Sequence, residues 1–195
     1  MAFYSLVFSA GSLSLLSLDV LLVRLFFTPI ESGIYSAVSV LARMIFYGLI
    51  PFASLMLPFV SRRFAASLPT KTVLYKILTV VILFGIFGVL IFDNFPVQVI
   101  SILSGENYLA GAKILPLFSA SLLFLSLSYI LLSYLIAINK NKSTLVLAVF
   151  FIIQPILISL MHQSLYQVVV INLSIQVCLF VSLLIYYYTQ TKDVI

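Results

Sequence analysis

The sequence predicts an all-α fold: a polytopic membrane protein built as a bundle of six transmembrane helices. Six apolar stretches occupy nearly all of the 195 residues, and apolar residues make up 64% of the chain. Charged residues make up only 8%, whereas soluble domains are ~25% charged and ~45–50% apolar. Because lipid is the solvent for most of such a surface, we expect a single membrane lobe over residues 1–195 and no soluble domain.

The six spans are predicted from stretches long enough to cross a bilayer, which takes about 20 apolar residues. The first stretch has no basic residues before it and is too long for a signal peptide, so we expect it to be a retained helix. Between the third and fourth spans, Phe95, Val99 and Ile102 recur at helical spacing, which predicts a short amphipathic helix in the outer interface of the membrane. The spans cover residues 3–27, 33–60, 73–92, 112–138, 145–161 and 166–188.

Lysine and arginine are distributed unevenly between the two ends of the predicted helices. If six helices alternate in direction, one side receives Lys113 together with the acidic Glu31, Asp93 and Glu106. The positive-inside rule places the more basic side in the cytoplasm. We therefore expect a multi-pass protein of the inner (cytoplasmic) membrane with both termini cytoplasmic. The residues on the basic side are Arg62, Arg63, Lys71, Lys76, Lys140, Lys142 and Lys192.

Charged residues inside the first two spans are the main functional candidates, because a charge deep in a bilayer costs at least ~2.5–3.5 kcal/mol and usually faces a bundle interior or a wet cavity. At ~1.5 Å per residue, Asp19 lies ~12 Å and Arg43 ~15 Å below the outer surface. A short turn at 28–32 joins the two helices, so an ion pair is geometrically available. The pair either locks the helices together or lines a polar cavity in which Arg43 meets an anionic substrate. Arg24 lies near the outer end, where it can extend to the lipid headgroups.

Prolines and amides inside the spans are further candidates. Pro51 and Pro58 interrupt the second span, and Gln154 precedes Pro155 in the fifth. Each proline can kink its helix and act as a hinge or border a cavity, although prolines are also common in membrane helices. Asn172 and Gln176, four residues apart in the sixth span, share one face and are expected to make hydrogen bonds between helices.

The residue inventory argues against several other classes of function. The chain has one histidine, His162, predicted at the surface, and one cysteine, Cys178, so we expect no metal site and no disulfide framework. It contains no paired carboxylates for magnesium, no phosphate-binding glycine loop and no G-x-S-x-G motif. No lysine and arginine cluster of the kind that follows nucleic acid is present. We therefore expect a protein that is not an enzyme, with no cofactor and no nucleic-acid partner.

Two segments carry a resemblance to a known family. Residues 19–37 read DVLLVRLFFTPIESGIYSA, an intramembrane Asp followed by a short outer turn and a G-x-Y-x-x-A helix start, and Pro58 with Ser61 forms a P-x-x-S at the end of that second helix. Residues 104–117 read SGENYLAGAKILPL, similar to a G-x-x-Y-x-x-A-x-x-(I/V)-L start of a fourth helix. Together they resemble the C-terminal six-helix lobe of polysaccharide (O-antigen or capsule repeat-unit) flippases of the multidrug/oligosaccharidyl-lipid/polysaccharide superfamily.

The resemblance implies a lobe that flips polyprenyl-diphosphate-linked oligosaccharide for polysaccharide biosynthesis. Such flippases resemble two six-helix lobes around a central cavity, so a second lobe, as a separate chain or a second copy, is the expected partner, besides membrane lipid. Arg43 is the first candidate for the diphosphate contact, with Asp19, then Arg24 and Lys113. The alternatives are half of a multidrug-type cation exporter in which Asp19 binds a proton or sodium, a membrane scaffold that does not transport, and the remnant of a truncated gene.

Overall fold

A computed structural model describes residues 2–190, and this part of the chain is helical with no strand. A 3₁₀ helix at Glu106–Lys113 lies between the fourth and fifth α-helices. Lys192, one of the basic residues used to predict orientation, lies outside the described residues. The α-helices are α1 (Ala2–Phe26), α2 (Pro29–Ala65), α3 (Lys71–Asn94), α4 (Pro96–Leu103), α5 (Leu115–Ala137), α6 (Ser143–Leu160) and α7 (Leu165–Gln190).

All of these α-helices except the short α4 have the length and apolar composition of membrane spans. The predicted fold class, an all-α bundle of six transmembrane helices, is therefore confirmed, and the chain is a multi-pass membrane protein. Because the spans alternate in direction, the end of α2 and the starts of α3 and α6 lie together, at what we call the basic end; the other is the opposite end. The basic end carries Arg62, Arg63, Lys71, Lys140 and Lys142.

The second helix is longer than the predicted span 33–60, because a cap fixes its start earlier. The Thr28 hydroxyl oxygen accepts a hydrogen bond from the Glu31 backbone N–H at 3.3 Å, and the Glu31 carboxylate accepts one from the Thr28 backbone N–H at 3.1 Å. This reciprocal pair is a capping box. Pro29 occupies the first turn, where a missing N–H costs nothing. The predicted turn at 28–32 is therefore wrong, and α2 continues to Ala65.

The start of the fourth span is also corrected. Residues 112 and 113, predicted to belong to it, lie in the 3₁₀ helix, and α5 begins at Leu115 with Pro116 in its first turn. The 3₁₀ helix lies close against α2 at Gly111, where an added Cβ would come within 2.3 Å of Val38 Cγ2. The other four spans agree with the prediction to within two residues at each end.

The predicted short helix between the third and fourth spans is present as α4, but its packed face differs from the expected one. Ile100 is fully buried and holds α4 against the bundle, while Phe95 and Ile102 are 52% and 79% exposed. Of the three apolar side chains predicted to share one face, Phe95 and Ile102 therefore point away from the protein, whereas Val99 is half-buried and packs against the core. An outward apolar face of this kind suits a helix that lies in the membrane interface.

The central element of the bundle is α5, which packs against α2, α3 and α7. Most of its residues are buried, including several serines. Ser126, Ser128 and Ser133 each donate to the backbone carbonyl four residues earlier, at 2.8–2.9 Å. Because these three hydroxyls are satisfied within their own helix, other helices can surround α5 at little cost, although the buried Ser121 hydroxyl has no hydrogen-bond partner among the described residues. The first helix packs mainly against α6 rather than against its sequence neighbour α2.

Candidate functional site: a buried polar network around Asp19

Asp19 lies in the middle of the bundle with its side chain 2% exposed. It is seven residues before the end of α1, about 10 Å below the opposite end at 1.5 Å per residue. Tyr35 of α2 lies six residues after the start of its helix, at nearly the same depth. The Tyr35 hydroxyl donates to Asp19 Oδ2 at 2.7 Å, the shortest contact of the carboxylate. The residue of α2 that matches Asp19 in depth is therefore Tyr35.

Two amides complete the network from the last two helices. Asn172 of α7 donates from Nδ2 to Asp19 Oδ2 and to the Tyr35 oxygen, both at 3.1 Å. Gln154 of α6 donates to Asn172 Oδ1 at 2.8 Å and, more weakly, to the Leu15 carbonyl at 3.4 Å. The hydrogen bonds expected between helices are thus present for Asn172, whereas Gln176 Oε1 is buried with no hydrogen-bond partner among the described residues. The hydrogen bonds of this network join α1, α2, α6 and α7 around one carboxylate.

Arg43 reaches the network from deeper in α2. Counted from Pro29, Arg43 lies about 21 Å below the opposite end, compared with about 10 Å for Asp19. The prediction that the two residues lie at matching depths is therefore wrong. The two residues still meet, because side chains lean toward the N-terminus of their own helix and these helices are antiparallel. Arg43 Nη2 lies 3.8 Å from Asp19 Oδ1 and donates to the Leu16 carbonyl at 2.9 Å. The predicted ion pair is present, but it is a looser contact than the hydrogen bond to Leu16.

The hydrogen-bonding capacity of the Asp19–Arg43 pair is only partly used. Within the described residues, Asp19 Oδ1 and Arg43 Nε take part in no hydrogen bond, although both atoms are buried. The Arg43 side chain as a whole is 18% exposed. A buried charge with free hydrogen-bonding capacity is costly in lipid, so this half of the network is the part best suited to receive a further polar group.

Arg43 lies between cavities that follow the contact of α1 and α2; together we call them the α1–α2 groove. The cavity at the opposite end has a volume of about 400 Å³ and is lined by Arg24, Phe27, Pro29, Ser32, Gly33 and Ser36. The middle cavity, about 220 Å³, is lined by Ser9, Ser12, Leu13, Leu16, Phe46, Tyr47, Ile50 and Tyr129. The third, about 210 Å³, is lined by Phe8, Ala53, Ser54, Leu57, Tyr129, Ser133 and Ile136.

One side of α2 borders this whole groove. Ser36, Arg43, Tyr47, Ile50 and Ser54 fall within about 60° of one another around the helix at 3.6 residues per turn. Tyr129 of α5, which lines two of the cavities, forms the floor between α1 and α2. The cavities therefore present hydroxyls and aromatic rings, with Arg24 at the opposite end, while Arg43 lines none of the three and lies on α2 between them.

The remaining charged candidates are placed differently. Arg24 lines the cavity at the opposite end and is exposed, as expected for a side chain that extends to headgroups. Lys113 is exposed at the end of the 3₁₀ helix and lines none of the three cavities. The structure thus brings Asp19 and Arg43 together and places Arg24 at one end of their groove, while Lys113 lies apart. His162 is only partly exposed, since its ring stacks on Phe26 at 4.3 Å.

The hinge and cavity candidates also separate. Gln154 is fully buried and belongs to the Asp19 network, although it lines none of the described cavities. Pro51 and Pro58 are exposed, and both α2 and α6 remain helical through their prolines, including Pro155. A hinge at any of these prolines stays a prediction.

Tyr35 is the network residue that sequence reasoning did not single out. The capping box could have indicated Tyr35 from the sequence, because it sets the start of α2 at Pro29. Counting from Pro29 then places Tyr35 level with Asp19. Among the described residues, no group of three or more His, Cys, Asp or Glu side chains is arranged to hold a metal ion. No protein family, curated protein or solved structure matches this chain.

Proposed function

We propose that this chain is one lobe of a membrane transporter that flips polyprenyl-diphosphate-linked oligosaccharide across the cytoplasmic membrane. The observation that carries the proposal is Arg43: a partly exposed guanidinium at membrane depth, held by one carbonyl and loosely paired with Asp19. A helical anchor has no need of such a group, whose insertion is costly. An arginine offers planar, bidentate recognition of phosphate oxygens.

The proposed mechanism uses the groove beside Arg43. The diphosphate enters the α1–α2 groove and takes donors of the Arg43 guanidinium that the Leu16 carbonyl leaves free, while the sugar meets the hydroxyl and aromatic lining. Asp19 stays in place because Tyr35 and Asn172 hold it independently of Arg43. The lipid tail remains in the bilayer. Two lobes rocking around this site would give alternating access.

The flippases that this chain resembles have two six-helix lobes around a central cavity, so the proposal includes a second six-helix lobe that covers the α1–α2 groove. That lobe is a separate chain or a second copy. By the positive-inside rule, the basic end of the bundle and both termini face the cytoplasm. The proposed role is transport without enzymatic activity.

A second candidate is a multidrug-type cation exporter, favoured by one specific observation. Asp19 Oδ1 has no hydrogen-bond partner among the described residues, although the carboxylate is almost fully buried. A proton or sodium ion bound there would neutralise the charge and couple transport to an ion gradient. In that case Asp19 would be essential for transport, and the nearby positive charge of Arg43 would set how readily the Asp19 carboxylate binds the proton or sodium ion.

Substitution of Arg43 tests the first proposal against the others. We expect Arg43→Gln to abolish flipping of lipid-linked oligosaccharide in vesicles that contain both lobes. Arg43→Lys should keep partial flipping, because it retains the charge but loses the planar fork. Arg62→Gln removes an exposed arginine at the basic end and is the matched control, with flipping unchanged.

The amount of inserted protein must be equal in all variants, since a folding defect would imitate a loss of transport. Unchanged flipping in Arg43→Gln would remove Arg43 from the substrate site. Loss of ion-driven export of organic cations in Asp19→Asn, without any effect on oligosaccharide, would favour the exporter. If a wild-type pair of lobes transports neither substrate, the remaining candidates are a membrane scaffold and the remnant of a truncated gene.

A further inference from the structure

A second groove lies on the other side of α2, between α2 and α3. It is lined by Met44, Ile45, Gly48 and Leu49 of α2 and by four residues of α3 between Phe84 and Phe92, and its volume is about 310 Å³. Every lining residue is apolar or glycine. At 3.6 residues per turn, its α2 residues fall on the face opposite to Arg43 and Tyr47. The polar and the apolar groove are therefore separate.

Two glycines create this groove. A Cβ added at Gly48 would meet no atom within 4 Å, so the space beside it is open. A Cβ added at Gly88 would touch Ile45 Cγ1 at 3.4 Å, so α3 approaches α2 closely at that level. The groove is thus a gap in side-chain packing between two helices that are otherwise in contact.

The depth of the groove decides what can fill it. The lining residues Phe92 and Phe84 lie about 3 and 15 Å below the end of α3 at Asn94, and Met44 and Leu49 lie about 22 and 30 Å from the start of α2 at Pro29. The groove therefore lies within the membrane spans, between two apolar helices. Water would find no polar partner on this lining, and apolar cavities of this kind stay dry. At about 30 Å³ for each group of the size of a water molecule, the groove has room for roughly ten such groups.

We propose that the α2–α3 groove binds one acyl chain of a phospholipid of the surrounding bilayer. The bilayer delivers hydrocarbon to this depth, and the rim residues Met44 and Phe84 are 47% and 62% exposed to it. A second protein lobe is not the expected occupant, because the polar stripe that needs an opposing wall lies on the other face of α2. This binding site is independent of the proposed transport.

Photolabelling can separate a bound chain from the ordinary lipid around the protein. The protein is placed in vesicles of phosphatidylethanolamine and phosphatidylglycerol that contain a trace of phosphatidylethanolamine with a diazirine in one acyl chain. After irradiation, adducts are mapped by mass spectrometry. Ile45 and Leu49 line the groove but are only 7% and 5% exposed, whereas Leu83 and Phe87 on α3 are each 64% exposed and lie outside it.

We expect labelling at Ile45 and Leu49 to equal or exceed labelling at Leu83 and Phe87. In Gly48→Leu, which fills the groove, labelling at Ile45 and Leu49 should fall about tenfold, as expected when a few methylene contacts are lost. Ala10→Leu introduces the same side chain at an exposed position of α1 and should change nothing.

Labelling that follows exposure, with Leu83 and Phe87 far above Ile45 and Leu49, would overturn the proposal. Equal labelling of the groove in Gly48→Leu would overturn it as well, and so would labelling by a diazirine-bearing polyprenyl phosphate but not by the phospholipid. If Gly48→Leu fails to accumulate, the comparison within the wild-type protein decides the question alone.

Discussion

At the scale of single residues, the Asp19 carboxylate is stabilised by two different kinds of partner. Tyr35 and Asn172 donate hydrogen bonds to Oδ2, while Arg43 supplies positive charge near Oδ1 at a longer distance. Hydrogen bonds to a charged group are worth about 1.5–3 kcal/mol, and removal of one partner of a buried ion pair costs about 3–5 kcal/mol. Both contributions therefore decide whether Asp19 is tolerated in the membrane.

Removal of one member of the ion pair should be more harmful than removal of both. In Asp19→Asn the arginine loses its counter-charge, and in Arg43→Gln the carboxylate stays charged and buried with only neutral donors. We expect each single variant to lower the thermal stability of the purified protein and the Asp19→Asn/Arg43→Gln double variant to recover part of the loss. A double variant no more stable than the worse single variant would show that the two charges are not coupled.

The Tyr35 hydroxyl can be tested without disturbing the packing of its ring against Phe118. Tyr35→Phe removes the 2.7 Å donor to Asp19 and the acceptor for Asn172, and we expect a loss of about 1.5–3 kcal/mol in the free energy of unfolding. Tyr47→Phe, at a tyrosine that is 56% exposed, is the matched control and should change stability little. Denaturant or thermal unfolding in the same detergent compares the two; equal stabilities would contradict the assigned role.

At the scale of elements, two local features set what the helices can do. The capping box places the start of α2 four residues before the predicted start, which brings Tyr35 rather than Arg43 level with Asp19. Gly111 lets the 3₁₀ helix lie against Val38 and Ile34 of α2. The apolar pattern shows neither feature, because a cap and a close approach depend on single residues rather than on average hydropathy.

Gly111→Ala should weaken the contact between the 3₁₀ helix and α2. The new Cβ would lie 2.3 Å from Val38 Cγ2, and a valine in a helix has one strongly preferred rotamer, so it cannot turn away cheaply. We expect a loss of about 1–3 kcal/mol, typical of overpacking.

The control for this substitution is Gly48→Ala, where the added methyl meets no atom within 4 Å. There the higher helix propensity of alanine should leave stability unchanged or raise it by up to about 1 kcal/mol. Melting temperatures of both purified variants test the pair. A Gly111→Ala protein as stable as Gly48→Ala would mean that the 3₁₀ helix moves freely off α2.

At the scale of the whole molecule, the number, order and approximate limits of the spans follow from the sequence, because length and apolarity alone identify a membrane helix. The arrangement of the spans does not follow. Asp19 meets Asn172 and Gln154 because α1 packs mainly against α6, and no short-range pattern in the chain encodes that choice. The pairing of Asp19 with Arg43 was predicted from a depth estimate that was itself wrong, and it forms because the two side chains lean toward each other.

The orientation of the bundle is open to a direct test. A reporter active only outside the cytoplasm should be silent when inserted after Lys142 or after Lys192, and active when inserted between Asp93 and Gly111. The expectation rests on the lysines and arginines at the basic end, which the positive-inside rule keeps in the cytoplasm. A signal from either of the first two sites would overturn the proposed topology.

The Asp19 network also has a consequence for the order of synthesis. Asp19 belongs to the first helix, and Asn172, 153 residues later, belongs to the last. At about 5–20 residues per second, the amide follows the carboxylate out of the ribosome by roughly 8–30 s. During that interval the nascent chain must hold a membrane carboxylate whose set of donors is incomplete. Insertion of α7 therefore supplies the last hydrogen-bond donor to Asp19 as well as the last helix of the bundle. A chain stopped before α7 exposes an incompletely paired carboxylate that membrane quality control can recognise.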